Sequence, residues 1–143
     1  CYSIPNNASR ILRIKKNKKM FDKLKVPKKE IPIEDLDFKK LNGLIPVIAQ
    51  DADSGIVLMM AYANSNALQK TQETGFAHYW SRSRKTLWKK GESSGNSQKI
   101  VEVLVDCDED TLIYKVHQTG SSCHTGAPNC FFRRLVTKKD KLK

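Results

Sequence analysis

A β-rich α+β domain of about five strands and one clear helix is the fold class this chain predicts. Three observations carry it. Apolar runs of strand length recur between turn-forming clusters, from residues 44–50 through to 111–119. One segment, after Asn64, has helical spacing together with a start and a stop signal. No internal repeat is present, and 143 residues suffice for one packed domain rather than two.

Taken in order, residues 44–50 form an apolar run, Asp51-Ala-Asp-Ser-Gly55 supplies turn chemistry, and residues 56–63 form a second run. The pair predicts a β-hairpin. Asn64 or Ser65 can cap a short helix whose buried face is Ala67, Leu68 and Thr71, with Gly75 at the left-handed position past its end. Residues 76–83 alternate aromatic and polar side chains, as a strand does. Gly91-Glu-Ser-Ser-Gly-Asn96 is a polar loop. Residues 99–107 read as a β-branched strand, Asp108-Glu-Asp110 turns the chain, and 111–119 returns. Residues 120–130 are a loop rich in small side chains.

Charge divides the chain differently. The net charge is +11, yet residues 10–40 carry a surplus of 7, residues 43–134 a surplus of 1 and the last nine a surplus of 3. Three segments follow: a basic N-terminal extension (1–42), a nearly neutral body (43–135) and a Lys-rich tail (136–143). A duplex-reading domain would carry its positive stripe on the folded body, so nucleic acid is not the expected partner. No apolar run approaches the ~20 residues that cross a bilayer, which predicts a soluble protein without a membrane partner. The first nineteen residues contain no acid. They read either as lying upstream of a start at Met20 or as the remnant of an organelle-targeting leader; the expected compartment is the cytoplasm unless that leader is genuine.

Of the four cysteines, Cys1 lies far out in the basic arm, leaving Cys107, Cys123 and Cys130. Three thiols cannot all pair within one chain, and no signal-peptide core is present, so metal or catalytic use in a reduced compartment fits better. The segment Asp106-Cys107-Asp108-Glu109-Asp110 places carboxylates and a thiol at alternate positions. If the strand continues this far, its period of 2 sends Asp106 and Asp108 one way and Cys107 the other, and Asp110 joins the carboxylates at the turn. Two distinct sites follow, one of oxygen ligands suited to Mg²⁺ and one of thiolates suited to Zn²⁺. A solvated acidic turn and three buried thiols are the plain alternatives. An EF-hand is excluded, because the glycine and glutamate positions hold Thr111 and His117. Three thiolates leave a fourth zinc position open, where a water can be ionised near neutral pH. His124, beside Cys123, can either close a Cys₃His site or act as general acid and base; spacing does not choose.

His78-Tyr-Trp-Ser-Arg-Ser-Arg84 and Trp88-Lys-Lys-Gly-Glu-Ser-Ser-Gly-Asn96 interleave aromatic faces, cations, hydroxyls and glycines. Trp80 or a neighbouring tyrosine can stack on a base, Arg82 and Arg84 can clamp a phosphate, and the loop of Lys90, Gly91, Glu92, Ser94 and Gly95 can turn backbone N–H groups toward the same phosphate.

Six motifs, Gly43-Leu-Ile-Pro46, Gln50-Asp-Ala-Asp53, Tyr79-Trp-Ser-Arg-Ser-Arg84, Lys90-Gly-Glu-Ser-Ser-Gly-Asn96, Val105-Asp-Cys-Asp108 and Cys123-His-Thr-Gly126, together resemble the phosphoribosyl-AMP cyclohydrolases, in order, across roughly residues 41–135. The resemblance implies addition of water at C6 of the adenine ring of phosphoribosyl-AMP, with zinc-bound hydroxide as attacking group, and cleavage of the N1–C6 bond in histidine biosynthesis. It implies Zn²⁺ on Cys107, Cys123 and Cys130, and Mg²⁺ on Asp106, Asp108 and Asp110. It also implies a homodimer that shares its zinc between subunits. The family often has glycine where this chain has Glu109. Only eight residues follow Leu135, too few for the second domain that many relatives carry.

Two rivals remain to be weighed. A nucleobase deaminase needs H-x-E with P-C-x-x-C, whereas His78 is followed by Tyr79-Trp80, and Pro128-Asn-Cys130 by two phenylalanines. A zinc-stabilised nucleic-acid-binding module with basic tails is the other, and the neutral body and missing ribbon spacing oppose it.

Overall fold

The computed structural model describes residues 29–138, so the expectations for residues 1–19 and Met20 lie outside the described residues. Six strands form one sheet: β1 (Ile45–Asp51), β2 (Val57–Ala63), β3 (His78–Ser81), β4 (Thr86–Lys89), β5 (Gln98–Val105) and β6 (Leu112–Gln118). Their order across the sheet is β4-β3-β2-β1-β6-β5. Every neighbouring pair is antiparallel except β1 and β6, which run parallel. The helix α1 (Ser65–Thr74) connects β2 to β3 and packs on them.

Alternation decides which face is inside. Ile45, Val47 and Ala49 of β1, with Leu112, Tyr114 and Val116 of β6, point into the core and are fully or almost fully buried. Helix α1 adds Ala67, Leu68 and Thr71, the three residues its spacing placed there. Its ends follow the sequence signals. Asn64 Oδ1 accepts the Ala67 N–H at 2.8 Å, and Gly75 takes the left-handed conformation with φ 75°. Polar groups inside are satisfied by one another: the Tyr79 hydroxyl donates to Gln98 Oε1 at 2.6 Å, and the His78 N–H donates to Thr71 Oγ1 at 2.9 Å.

Three features depart from the sequence expectations. First, β4 is a sixth strand. Residues 76–83 do not run on as one strand; the chain turns at Arg82–Lys85, with Lys85 at φ 50°, and Thr86–Lys89 pairs back onto β3. No glycine, proline or asparagine marks that turn, which is why it passes unread. Second, β5 ends at Val105 rather than Cys107. The Asp106 carboxylate accepts the N–H groups of Asp110 and Thr111, at 3.0 and 3.2 Å, and so starts the turn two residues early. Third, the packed unit begins at Ile31, before Gly43. Leu36 is buried in the core, with Ile31, Ile33 and Phe38 against it. The prolines and charges around those apolar residues mask their role.

Candidate metal and substrate site

The sheet has two poles, and the site residues divide between them. At the first pole lies the turn after β5. Asp106, Asp108 and Asp110 bring one carboxylate oxygen each within 4.8 Å of the others, the only cluster of three or more metal-competent side chains among the described residues. Glu109, at φ 61°, makes that convergence possible, and its carbonyl accepts the Asp37 N–H at 2.8 Å. Lys40 completes the group. Its ammonium donates to Asp110 Oδ2 at 3.0 Å and to Asp108 Oδ2 at 3.3 Å. The hydrogen bond from Lys40 holds the Asp110 carboxyl below the usual carboxylate range, whereas desolvation, with help from the neighbouring carboxyls, pushes Asp106 up. Oxygen-only donors of this kind suit a hard divalent cation.

On the same pole, an open depression of about 310 Å³ is lined by Lys40, Leu41, Asn42, Leu44, Tyr62 and Arg82. The Arg82 guanidinium lies over the Tyr62 ring, 4.0 Å from its centroid. Arg84 sits in the same β3–β4 turn, its N–H donating to Ser81 Oγ at 3.3 Å. Trp80 is half-buried on β3, opposite Tyr62 of β2.

At the second pole, beyond the end of β6, lie Cys123 and Cys130. Cys123 is buried, and its thiol is pulled down by a 3.0 Å contact with Thr125 Oγ1, with smaller help from Cys130 and Lys90. Burial and the neighbouring Cys123 push the Cys130 thiol up. The Cys130 N–H donates to the Leu58 carbonyl at 2.7 Å, pinning the loop to β2. Lys90 reaches across to donate to the Ser122 carbonyl at 2.6 Å. Its loop is locked in place. A Cβ on Gly91 would collide with the backbone of Asn96 and Ser97, and Gly95 N–H donates to the Gly91 carbonyl at 2.8 Å. Glu92 and Ser94 are exposed on this loop, as is His124 beside Cys123.

Cys107 does not join the other two thiols within the chain. It is exposed on the acidic turn, 4.0 Å from Asp108 Oδ1, while Cys123 lies past the far end of β6. The seven residues of β6 alone span about 20 Å. The substrate candidates divide likewise, with Arg82 and Arg84 at the acidic pole and residues 90–95 at the thiol pole. Lys40, Thr125 and Ser122 were not singled out from sequence. Thr125 was available, since it stands inside the Cys123-His-Thr-Gly126 motif; Lys40 is hidden in a basic arm.

A sequence model of phosphoribosyl-AMP cyclohydrolase matches residues 59–132, a stretch that contains all three aspartates and all three body cysteines. The chain belongs to the phosphoribosyl-AMP cyclohydrolase family. It is 63% identical to the phosphoribosyl-AMP cyclohydrolase of Archaeoglobus fulgidus over 93 residues, covering 65% of this chain and 86% of that one. A Methanoregula boonei phosphoribosyl-AMP cyclohydrolase is 63% identical over 102 residues, 70% of this chain and 83% of its own. A histidine biosynthesis bifunctional protein of Aquifex aeolicus is 62% identical over 98 residues, 68% of this chain but 48% of its own length. The acidic turn and the thiol loop therefore both fall inside the matched stretch. No helix among the described residues is long and apolar enough to cross a membrane.

Proposed function

We propose that this chain hydrolyses the N1–C6 bond of the adenine ring of phosphoribosyl-AMP, in histidine biosynthesis, as a zinc-dependent homodimer. The observation that supports this most is the family match across residues 59–132, which takes in both the acidic turn and the thiol loop. The donor chemistry agrees. The Cys123 thiol is shifted toward thiolate, chiefly by Thr125 and to a smaller extent by Cys130 and Lys90. Two thiolates are half of a zinc site, and the third, Cys107, is held at the opposite pole, so a second copy has to supply it. Exposed apolar side chains, including Met60, Val101, Phe131 and Phe132, give such a copy a surface to cover. In the assembled pair, the thiol pole of one chain and the acidic pole of the other form one site. Arg82 and Arg84 then face the same substrate as Lys90, Gly91, Glu92, Ser94 and Gly95.

Cys107, Cys123 and Cys130 would hold zinc, which would supply Lewis acidity toward the attacking water. The chain's own residues do the rest. Trp80 stacks on the base, and the two arginines hold phosphate with paired hydrogen bonds. Asp106, Asp108 and Asp110 would hold Mg²⁺. Water adds at C6, which is electrophilic because N1 carries the second ribosyl group. His124 then moves a proton from the added hydroxyl to N1 as the N1–C6 bond breaks. The water oxygen remains as the carbonyl of the carboxamide, and N1 leaves with its pair of electrons and the transferred proton.

Ring opening is followed by ultraviolet absorbance, before and after zinc removal. Turnover that disappears with the metal and returns on adding Zn²⁺ is the expected result; a folded, zinc-loaded dimer that leaves phosphoribosyl-AMP intact refutes the assignment. Cys123→Ala should lose both zinc and turnover, and near-normal kcat in His124→Ala would remove His124 from the proton transfer.

A further inference from the structure

Lys40 is not a stray surface lysine. It sits on a tight turn in which the Gly43 N–H donates to the Phe38 carbonyl at 2.6 Å and Asn42 takes φ 53°. Phe38 packs on the core, and the Asp37 N–H is tied to the Glu109 carbonyl at 2.8 Å. The backbone thus carries Lys40 directly over the acidic turn. Its ammonium bonds Asp110 and Asp108 at 3.0 and 3.3 Å, with Asp37 at 4.0 Å.

Those bonds engage two of the three carboxylates that converge within 4.8 Å of one another. A divalent cation held there would lie close to the ammonium, and at such separation the two positive charges repel. The lysine side chain is half-exposed on a flexible stem, so it can leave without disturbing the core. Its way out is already shaped. Lys40 also lines the depression that holds Arg82, and among the described residues no acidic side chain lines it.

We propose that Lys40 is an exchangeable counter-ion: it and the divalent cation occupy the Asp108–Asp110 pair alternately, and cation binding sends the ammonium into the depression beside Arg82 to bind a phosphate monoester. The second half rests on the substrate reading above; the exchange itself does not. Exchange does two things. It keeps the carboxylates converged without metal, so that little reorganisation accompanies metal uptake. It also couples two sites, because each cation bound creates a new positive charge where a phosphate lands.

The test uses Mn²⁺ as the metal and ribose 5-phosphate as the monoester, with the full chain. In Lys40→Met, calorimetry should show Mn²⁺ binding about tenfold tighter, the scale set by two exposed ion pairs removed from competition. In the wild type, Mn²⁺ should strengthen ribose 5-phosphate binding severalfold, and in Lys40→Met that coupling should vanish. A crystal of the wild type grown with Mn²⁺ should show anomalous density among the three aspartates and Lys40 displaced toward Arg82. Equal or weaker Mn²⁺ binding by Lys40→Met overturns the exchange, as does a crystal in which Lys40 keeps both bonds with the metal bound. Coupling that persists in Lys40→Met overturns the phosphate half. If neither protein binds Mn²⁺, the cation site fails and the exchange with it. None of these readouts needs turnover, so a chain inactive on phosphoribosyl-AMP that still exchanges Lys40 for Mn²⁺ loses the substrate reading alone.

Discussion

Lys90 donates a 2.6 Å hydrogen bond to the carbonyl of Ser122, the residue immediately before Cys123. One side chain thereby fixes the backbone from which a thiol projects and sets a positive charge near it. Removing it should loosen the pair and leave the thiolates less compensated. We expect Lys90→Met to weaken Zn²⁺ binding by about tenfold, within the range for groups that orient metal ligands. Competition with a chromophoric chelator measures it. Lys90→Arg should recover part of the loss if charge matters, and none if only the short reach to Ser122 does. Unchanged Zn²⁺ affinity in Lys90→Met would confine this residue to the substrate role.

Tyr79 and Tyr114 make the fold sensitive to alkali. Desolvation raises the Tyr79 phenol well above its ordinary value and pushes Tyr114 up to about 12. An unfolded phenol loses its proton near pH 10. Between about pH 10 and 12, the unfolded chain therefore releases protons that the folded one retains, and stability falls as pH rises. Below pH 10 this contribution is fully present. Urea midpoints should accordingly drop between pH 9.5 and 11.5, by an amount that Tyr114→Phe makes smaller. A slope in Tyr114→Phe equal to that of the wild type would show that another group sets the alkaline limit.

How much of this was legible in the sequence can be judged residue by residue. The helix was fully written, because Asn64 and Gly75 act through local backbone geometry and Ala67, Leu68 and Thr71 follow a fixed period. The hairpin of β1 and β2 was equally local. The aspartates were found together, although the reason given, pleat alternation along a strand, was replaced by a side-chain turn at Asp106. What the sequence could not show were long-range pairings. Lys40 meets Asp110 across 70 residues and Lys90 meets Ser122 across 32. Both are lysines among many, and no spacing rule marks a partner that the fold brings near. The separation of Cys107 from Cys123 is of the same kind, since it depends on the direction of β6.

Thr125 tunes Cys123. Its hydroxyl lies 3.0 Å from Cys123 Sγ and lowers that thiol's pKa by donating to the thiolate. Zinc binds thiolate, so a lowered pKa reduces the proton competition at a given pH. Thr125→Val keeps the shape and removes the donor. Apparent Zn²⁺ affinity should fall in this variant, and more at pH 6 than at pH 8, where the unassisted thiol is nearer its own ionisation. Measuring affinity across that interval decides the matter. Curves for the two proteins that stay parallel would mean the hydroxyl acts on loop structure rather than on ionisation.

Glu109 stores strain at the acidic turn. It holds φ 61°, a conformation in which a Cβ crowds the following carbonyl, at a cost of about 1 kcal/mol. Glycine adopts it freely. Glu109→Gly should therefore raise stability slightly, by at most about 0.5 kcal/mol once the larger entropy of a glycine-containing unfolded chain is subtracted. The substitution also removes one carboxylate beside Asp108 and Asp110 without touching either. Mn²⁺ binding should stay within a few-fold of the wild type, because the Glu109 contact that matters is its carbonyl to the Asp37 N–H, which glycine retains. Guanidinium unfolding and Mn²⁺ titration of the same variant test both halves. Lower stability would mean that the Glu109 side chain makes a compensating interaction stronger than the strain, and greatly weakened Mn²⁺ binding would make that carboxylate part of the cation site.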